Sequence, residues 1–464
     1  MLRLLLAVLL FFSNVGGSRS AIVESLPGFS GDLPFKLETG YIGVGELEEV
    51  QLFYYFIESE RSPKDDPLLL WLTGGPGCSA LSGLLFEIGP LQFDYSNSSG
   101  NRPVLKLNPY SWTKVANIIF LDAPVGTGFS YATTWRACNT SDTSSATQSY
   151  EFLRKWLTAH PRFLTNQLYI TGDSYSGVVV PIIVKEVYDG NEAGREPPMN
   201  LKGYVLGNPV TCEVKDTSQR IPFGHKMALI SDELYESTKK DCNGDYVNVD
   251  PTNGACLTDL EMVSICLEKI YVFQILEPMC DVLSPNHTRL KWSRSILEEN
   301  IINVILVPLQ SRPWCRSYNY LYAYIWANDR NVQEALHIRE GTKSEWDRCN
   351  GSLFYTKDVP NSVVYHNYLS KTSLRALIYS GDHDSAVPYM GTLDWIRSLN
   401  LTLLGPWAPW FVNGQVAGYS ILYGSGLKYD LTYTTIKGGG HTAPEYKPKE
   451  CLAMLDRWLS YYPL

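Results

Sequence analysis

The chain has 464 residues, of which 45% are hydrophobic and 19% charged, and it carries a net charge of -9. Its length and apolar share can fill a large core, and the acidic balance argues against nucleic acid as a partner. No repeat, low-complexity tract or charge run marks a linker, so the expectation is one large domain with an insertion.

The first residues read as a secretory signal peptide over 1–20. Arg3 supplies a positive charge, Leu4 to Phe12 an apolar run of nine, and small polar residues follow up to Ser20. The run is too short to span a bilayer and nothing later reaches the required length, so no stable membrane insertion is expected. Ten cysteines suit an oxidising compartment, and none has the spacing of a metal site. Five N-x-[ST] sequons, at Asn97, Asn139, Asn286, Asn350 and Asn400, mark candidate glycosylation sites in the same compartment.

Residues 51–57 and 68–72 are short β-rich runs, and the second ends in Thr73-Gly74-Gly75-Pro76-Gly77-Cys78-Ser79. A glycine pair after a buried strand lets backbone N–H groups approach a ligand, as in half of an oxyanion hole. A plain turn is the competing reading. Residues 117–122 form another apolar strand, and 144–159 an amphipathic helix with Tyr150, Leu153 and Leu157 on one face. Next, an apolar run from Leu168 reaches Gly172-Asp173-Ser174-Tyr175-Ser176-Gly177 and continues as a helix to Val187. This pattern is a nucleophile elbow, a sharp strand-to-helix turn that projects Ser174 above a sheet. An ordinary strand-to-helix turn is the alternative, since Ser176 stands where the strict pattern has glycine.

A strand at 201–206 leads into Gly207-Asn208-Pro209. Over 211–350 the pattern changes, with six cysteines before Cys349, few clean strands and helical periods around 257–270, which suits an inserted, disulfide-stapled cap. A strand at 375–380 then ends in Gly381-Asp382-His383-Asp384, and one at 431–436 in Gly438-Gly439-Gly440-His441. Pro448–Leu459 is expected to be a helix with Leu452, Leu455 and Leu459 facing the sheet. Ser, then Asp, then His, each beyond the end of a strand, is the chain order of the α/β-hydrolase triad. In this reading Ser174 attacks an acyl carbonyl, His441 moves its proton, and Asp382 or Asp384 orients the imidazole. The N–H groups of Gly75 and Tyr175 would hold the oxyanion, each worth ~3 to 4 kcal/mol.

The four motifs Trp71 to Ser79, Gly172 to Gly177, Gly381 to Asp384 and Gly439 to His441 resemble, in order, the signatures of serine carboxypeptidases. The resemblance spans nearly the whole chain past the signal peptide. It implies an α/β-hydrolase fold, a mostly parallel sheet flanked by helices with a cap at 211–350. It further implies a triad of Ser174, Asp384 and His441, with Asp382 left to fix its loop. Substrate contacts are implied at Thr73, Gly74, Gly75, Glu87, Asp173, Tyr175, Ser176, Gly439, Gly440 and Thr442. The family also implies disulfides Cys78–Cys349, Cys242–Cys256 and Cys280–Cys315 and a cap stretch that some relatives excise; it assigns no partner to Cys138, Cys212, Cys266 and Cys451, which are expected to be buried free thiols.

Peptidases of this family bind a substrate carboxylate through an Asn and two Glu, at the positions of Thr73, Asp173 and Glu87 here. Two of the three differ. Thr73 and Asp173, with Gly207-Asn208-Pro209, the stretch Phe411 to Tyr419 and the stretch Lys437 to Glu445, are similar to plant serine carboxypeptidase-like acyltransferases. That likeness implies transfer of an acyl group from a 1-O-acyl-β-glucose donor to an alcohol acceptor, with no cofactor, in a vacuolar or extracellular setting. Removal of C-terminal residues from peptides is the alternative, and a catalytically idle binding protein on the same fold a third.

Overall fold

The computed structural model describes residues 20–98, 102–279, 316–426 and 429–464. The signal peptide, Cys280, Cys315 and Asn286 lie outside these residues. The central sheet contains Ala21–Val23 (β1), Leu37–Val44 (β2), Val50–Ile57 (β3), Leu68–Leu72 (β4), Asn117–Leu121 (β5), Tyr131–Ala132 (β6), Leu168–Asp173 (β7) and Leu201–Gly207 (β8). It continues with Arg375–Gly381 (β9), Thr402–Val412 (β10), Gln415–Gly424 (β11) and Asp430–Ile436 (β12). The strand order is β1-β2-β3-β5-β4-β7-β8-β9-β12-β11-β10, with β6 paired to β3. From β5 to β12 every neighbouring pair is parallel, while the pairs outward of β5 and of β12 are antiparallel. This is the expected α/β-hydrolase sheet, parallel at its centre; where a mostly parallel sheet was expected, the margins on both sides are antiparallel, so the sheet is mixed.

The central strands read as continuous apolar runs because both faces are covered. In β4 all five side chains, Leu-Leu-Leu-Trp-Leu, are buried, each contributing about 1.5–3 kcal/mol. Their alternation divides the core in two. Leu68, Leu70 and Leu72 join the helices Asp142–Ala159 (α1) and Ser176–Glu192 (α2) on one side, whereas Leu69 and Trp71 join the C-terminal helix on the other. The cap of α1 is Ser141, whose side chain accepts from Ser144 N. Pro181 interrupts α2, and the Gly177 carbonyl that it cannot reach is taken instead by the Ser362 hydroxyl at 2.9 Å.

Between β8 and β9 lie Asp232–Asp241 (α3), Gly254–Leu267 (α4) and Ser317–Ala327 (α5). The disulfide Cys242–Cys256 joins α3 to α4, whose small separate core is Ile221, Ile230 and Val263. By contrast, Tyr322, Ala323 and Trp326 of α5 are part of the main core. The insertion expected over 211–350 is therefore not one body, because the aromatic face of α5 is buried against the catalytic domain.

Pro448–Leu459 (α6) forms as expected, yet its buried face is Cys451, Met454, Leu455 and Trp458, with Leu452 and Leu459 only half-buried. The Trp458 ring meets Tyr169 of β7 edge-on at 5.3 Å, and this large contact sets the helix rotation. The free thiols also differ from expectation: Cys451 is buried, Cys138 and Cys212 are half-buried and Cys266 is exposed. Among the described residues no helix is long and apolar enough to cross a membrane, and no His, Cys, Asp and Glu grouping could hold a metal.

Candidate active site

The strand β7 ends at Asp173, and Ser174 follows with φ +54°, a left-handed conformation costing ~1–2 kcal/mol. The strain is held by Ser174 N donating to Gly207 O at 2.9 Å and by Val210 N donating to Ser174 O at 2.9 Å. A Cβ on Gly172 would stand 2.7 Å from Ser176 Cβ, and one on Gly177 would collide with Val210 O. The small residues around the elbow are thus required by packing.

The elbow places the Ser174 hydroxyl 2.7 Å from His441 Nε2, and His441 Nδ1 lies 2.8 Å from Asp384 Oδ2. With Nδ1 protonated toward Asp384, Nε2 accepts the serine proton. Asp384 is fully buried and accepts from Ala386 N at 2.7 Å, Val387 N at 3.2 Å and Asn208 Nδ2 at 2.8 Å. Asp382 takes no part in this chain. It accepts from Gly438 N at 2.7 Å and faces its neighbour His383 at 2.6 Å, pinning the loop after β9 to the loop after β12. Burial pulls the His441 pKa down, but the charge of Asp384 and its hydrogen bond, with Asp173 adding, outweigh burial and raise it.

Gly75 sits at φ +123°, and a Cβ on Gly74 would be 2.6 Å from Ser174 Cβ. Neither Gly75 N–H nor Tyr175 N–H is engaged by a hydrogen bond among the described residues. Both are free for an oxyanion. The loop is fastened by the disulfide Cys78–Cys349, by Ser79 N donating to Arg348 O at 2.7 Å and by Asn350 N donating to Gly77 O at 2.9 Å.

Behind the nucleophile lie two buried carboxyl groups. Asp173 accepts from Gly74 N at 3.1 Å, and burial pushes its pKa up to about 6 despite the positive charges of His441 and Arg348. Burial, then the charges of Asp173 and Glu445, push Glu87 well above the usual carboxylate range, and Arg348 opposes them. Among the described residues, one Glu87 oxygen has no hydrogen-bond partner. A carboxyl so placed holds its proton and can donate it to a ligand.

The remaining candidate residues divide. Thr73 lines a small cavity of about 20 Å³ with Gly74, Pro76, Tyr175 and Tyr355, and its hydroxyl oxygen accepts from Trp71 Nε1 at 3.0 Å. The Tyr175 hydroxyl donates to Asp142 at 2.8 Å, so its expected contribution is its N–H. Ser176 and Thr442 do not offer their donors to substrate: Ser176 Oγ donates to Leu72 O at 2.9 Å and Thr442 Oγ1 to Glu445 Oε2 at 2.8 Å. Gly439 and Gly440 are buried, and a Cβ on Gly440 would collide with Phe273 O, which makes them packing residues. Asn97, Asn139 and Asn400 are exposed, whereas Asn350 is half-buried and donates to Gly126 O at 3.0 Å. A wider cleft of about 500 Å³, lined by Thr211, Lys215, Asp216, Asp245 and Trp395 among others, has no histidine and shares no residue with the triad.

Sequence reasoning assigned no role to Asn208, Arg348, Glu445 or Phe273. Asn208, at φ +42° after β8, also accepts from Gly381 N at 3.1 Å, so it ties the β8 and β9 loops at the triad. A Gly-Asn-Pro turn beyond a parallel strand is a signal that could have found it. Arg348 and Phe273 come from the cap side, and nothing local in the sequence places them here, while Glu445 lies four residues beyond His441 and accepts from Thr442.

The serine carboxypeptidase family model matches residues 27–461. Among curated proteins, serine carboxypeptidase-like 1 of Arabidopsis thaliana is 50% identical over 461 residues, covering 99% of this chain and 97% of the relative. Serine carboxypeptidase-like 12 of the same plant is 48% identical, covering 99% of each. Of solved structures, the prohormone-processing carboxypeptidase Kex1 of Saccharomyces cerevisiae superposes with a TM-score of 0.72 at 18% identity, over 95% of both chains, a likeness of fold. The match over nearly the full length, on a sheet that brings serine, histidine and aspartate together at its parallel strand ends, means that this chain belongs to the serine carboxypeptidase family.

Proposed function

We propose that this enzyme transfers an acyl group from a 1-O-acyl-β-glucose donor to an alcohol acceptor through an acyl-enzyme on Ser174. The observation that carries this reading is the pair of departures from the peptidase pattern, Thr73 and Asp173. Thr73 offers a hydroxyl engaged with Trp71 where a peptidase has an amide, and Asp173 is one methylene shorter than glutamate and held by Gly74 N–H. Ser174 Oγ attacks the acyl carbon, the bond to the glucosyl oxygen breaks, and the serine proton passes through His441 to that oxygen. The acceptor hydroxyl then attacks the acyl-enzyme, its proton passing through His441 back to Ser174. Gly75 and Tyr175 N–H hold the oxyanion, and Asp384 orients the imidazole and balances its charge. Transfer outruns hydrolysis when the acceptor is bound at high effective molarity, which reaches ~10⁵ M or more for well-oriented groups.

The donor and acceptor are the partners of this reading, and no cofactor enters it. Disulfides and family suit a route through the secretory pathway, and a vacuolar or extracellular site is part of the proposal. A second reading, carboxypeptidase, is favoured by Glu87 and Asp173 themselves, since a protonated carboxyl pair can hold a peptide's C-terminal carboxylate. Incubation with a blocked dipeptide and an acyl-glucose together, plus an alcohol acceptor, separates the two. The expected product is the acceptor ester; release of the dipeptide's C-terminal residue without ester formation would overturn acyl transfer.

A further inference from the structure

Residues 271–277, which follow α4, cross both loops that carry the proton-transfer machinery. Ser385 N donates to Val272 O at 3.0 Å, His441 N to Phe273 O at 2.7 Å and Ile275 N to His383 O at 3.1 Å. Gln274 Nε2 donates to Gly438 O at 3.0 Å. The strap is thus stapled between the Asp384 loop and the His441 loop, and Gly440, whose Cβ would collide with Phe273 O, gives it room. Backbone groups and Gln274 do this stapling. The Phe273 ring is left over, lying 5.1 Å from the His441 ring while remaining 40% exposed.

Where that ring lies has a chemical consequence. The same imidazole nitrogen must protonate the departing glucosyl oxygen and later deprotonate the incoming alcohol, so both groups occupy the space beside Nε2 in turn. A ring 5.1 Å from the imidazole and still open to solvent is near enough to wall that space. We propose that Phe273 is a specificity-determining residue of the leaving-group and acceptor subsite, presenting an apolar face to the C–H side of the departing sugar and to the carbon skeleton of the alcohol. Aromatic walls with a few fixed polar groups are the usual make-up of such sites.

This assignment rests on the acyl-transfer reading, and the test separates the two. Wild type, Phe273→Ala and Phe273→Tyr are compared on the 1-O-β-glucosyl and methyl esters of benzoic acid, which differ only in leaving group. Phe273→Ala is expected to lose about tenfold in kcat/KM on the glucosyl ester, the range for removing one apolar contact. On the methyl ester, whose leaving group is too small to reach the ring, its rate and pH profile stay near wild type. Phe273→Tyr, which keeps the wall, matches wild type on both. Equal losses on both esters would mean that the ring only steadies His441, and no loss on the glucosyl ester would mean that it touches nothing; either overturns the assignment. If wild type cleaves blocked dipeptides and transfers no acyl group, acyl transfer fails alone. The same comparison on dipeptides ending in leucine or glycine then decides Phe273, with a selective loss on leucine expected.

Discussion

Ser174 and His441 are 267 residues apart in sequence and 2.7 Å apart in the fold, and their contact makes them one functional unit. Ser174→Ala should lower kcat/KM by about 10⁴-fold or more, and His441→Ala by a similar factor, with the double variant no worse than the worse single. Steady-state kinetics of the three variants checks this; multiplied losses would assign the two residues to separate tasks. The triad was legible because each member follows its own strand in an order characteristic of one fold. The choice of Asp384 over Asp382 came from family likeness, and its physical basis is now visible: Asp384 points into the core at Asn208 and His441, while Asp382 bonds the adjacent loop. Asn208 was named with its turn but given no role, because its contacts depend on β8 lying between β7 and β9.

At the scale of elements, the parallel strands and α1, α2 and α6 were readable from apolar runs and helical periods. The hairpin β10–β11 was missed although Asn413 and Gly414 both have positive φ, and an Asn-Gly pair between strands is a strong hairpin signal. Its many exposed apolar residues disguise it, since β10 is an edge strand of the sheet and alternation is blurred. The face of α6 was misjudged because periodicity offers several adjacent stripes, and the choice among them falls to what the sheet presents. The disulfide Cys78–Cys349 joins segments 271 residues apart and holds the oxyanion loop against Arg348. Cys349→Ser should therefore lower stability by roughly 2–5 kcal/mol, and kcat by about 10²-fold if the Gly75 donor is lost with the loop's orientation. Thermal unfolding and kinetics on the purified variant test this; unchanged kcat would show that the loop keeps its shape without the tether.

For the molecule as a whole, the buried acids couple folding, binding and pH. The folded pKa of Asp173 lies at about 6, against 3.8 for the free side chain, and that of Glu87 well above 4.5. The folded state thus holds more protons than the unfolded chain from the ordinary carboxylate range up to about 6 and beyond, and stability falls as pH rises through that window. At about 1.4 kcal/mol per unit, Asp173 accounts for roughly 2–3 kcal/mol. The raised His441 acts in the same direction, its contribution being present below the ordinary histidine range and lost as pH rises through its folded pKa. Substrate affinity should follow, with KM lowest at acid pH and rising as the pair loses its last proton. Asp173→Asn, which can still accept from Gly74 N–H, should flatten part of both trends; Tm and KM measured from pH 4 to 8 in both proteins test this, and identical profiles would leave Asp173 only a turn residue. The sequence by itself determined the strand ends, the elbow and the order of the triad, because these depend on local patterns of apolar, small and turn-forming residues. Only the tertiary structure decided that α5 belongs to the main core and that Arg348 and the strap at 271–277 reach the site, and it supplied the contacts that make Asp384, not Asp382, the partner of the histidine. Those contacts join segments far apart in sequence, where no local pattern records which side chain will be the neighbour.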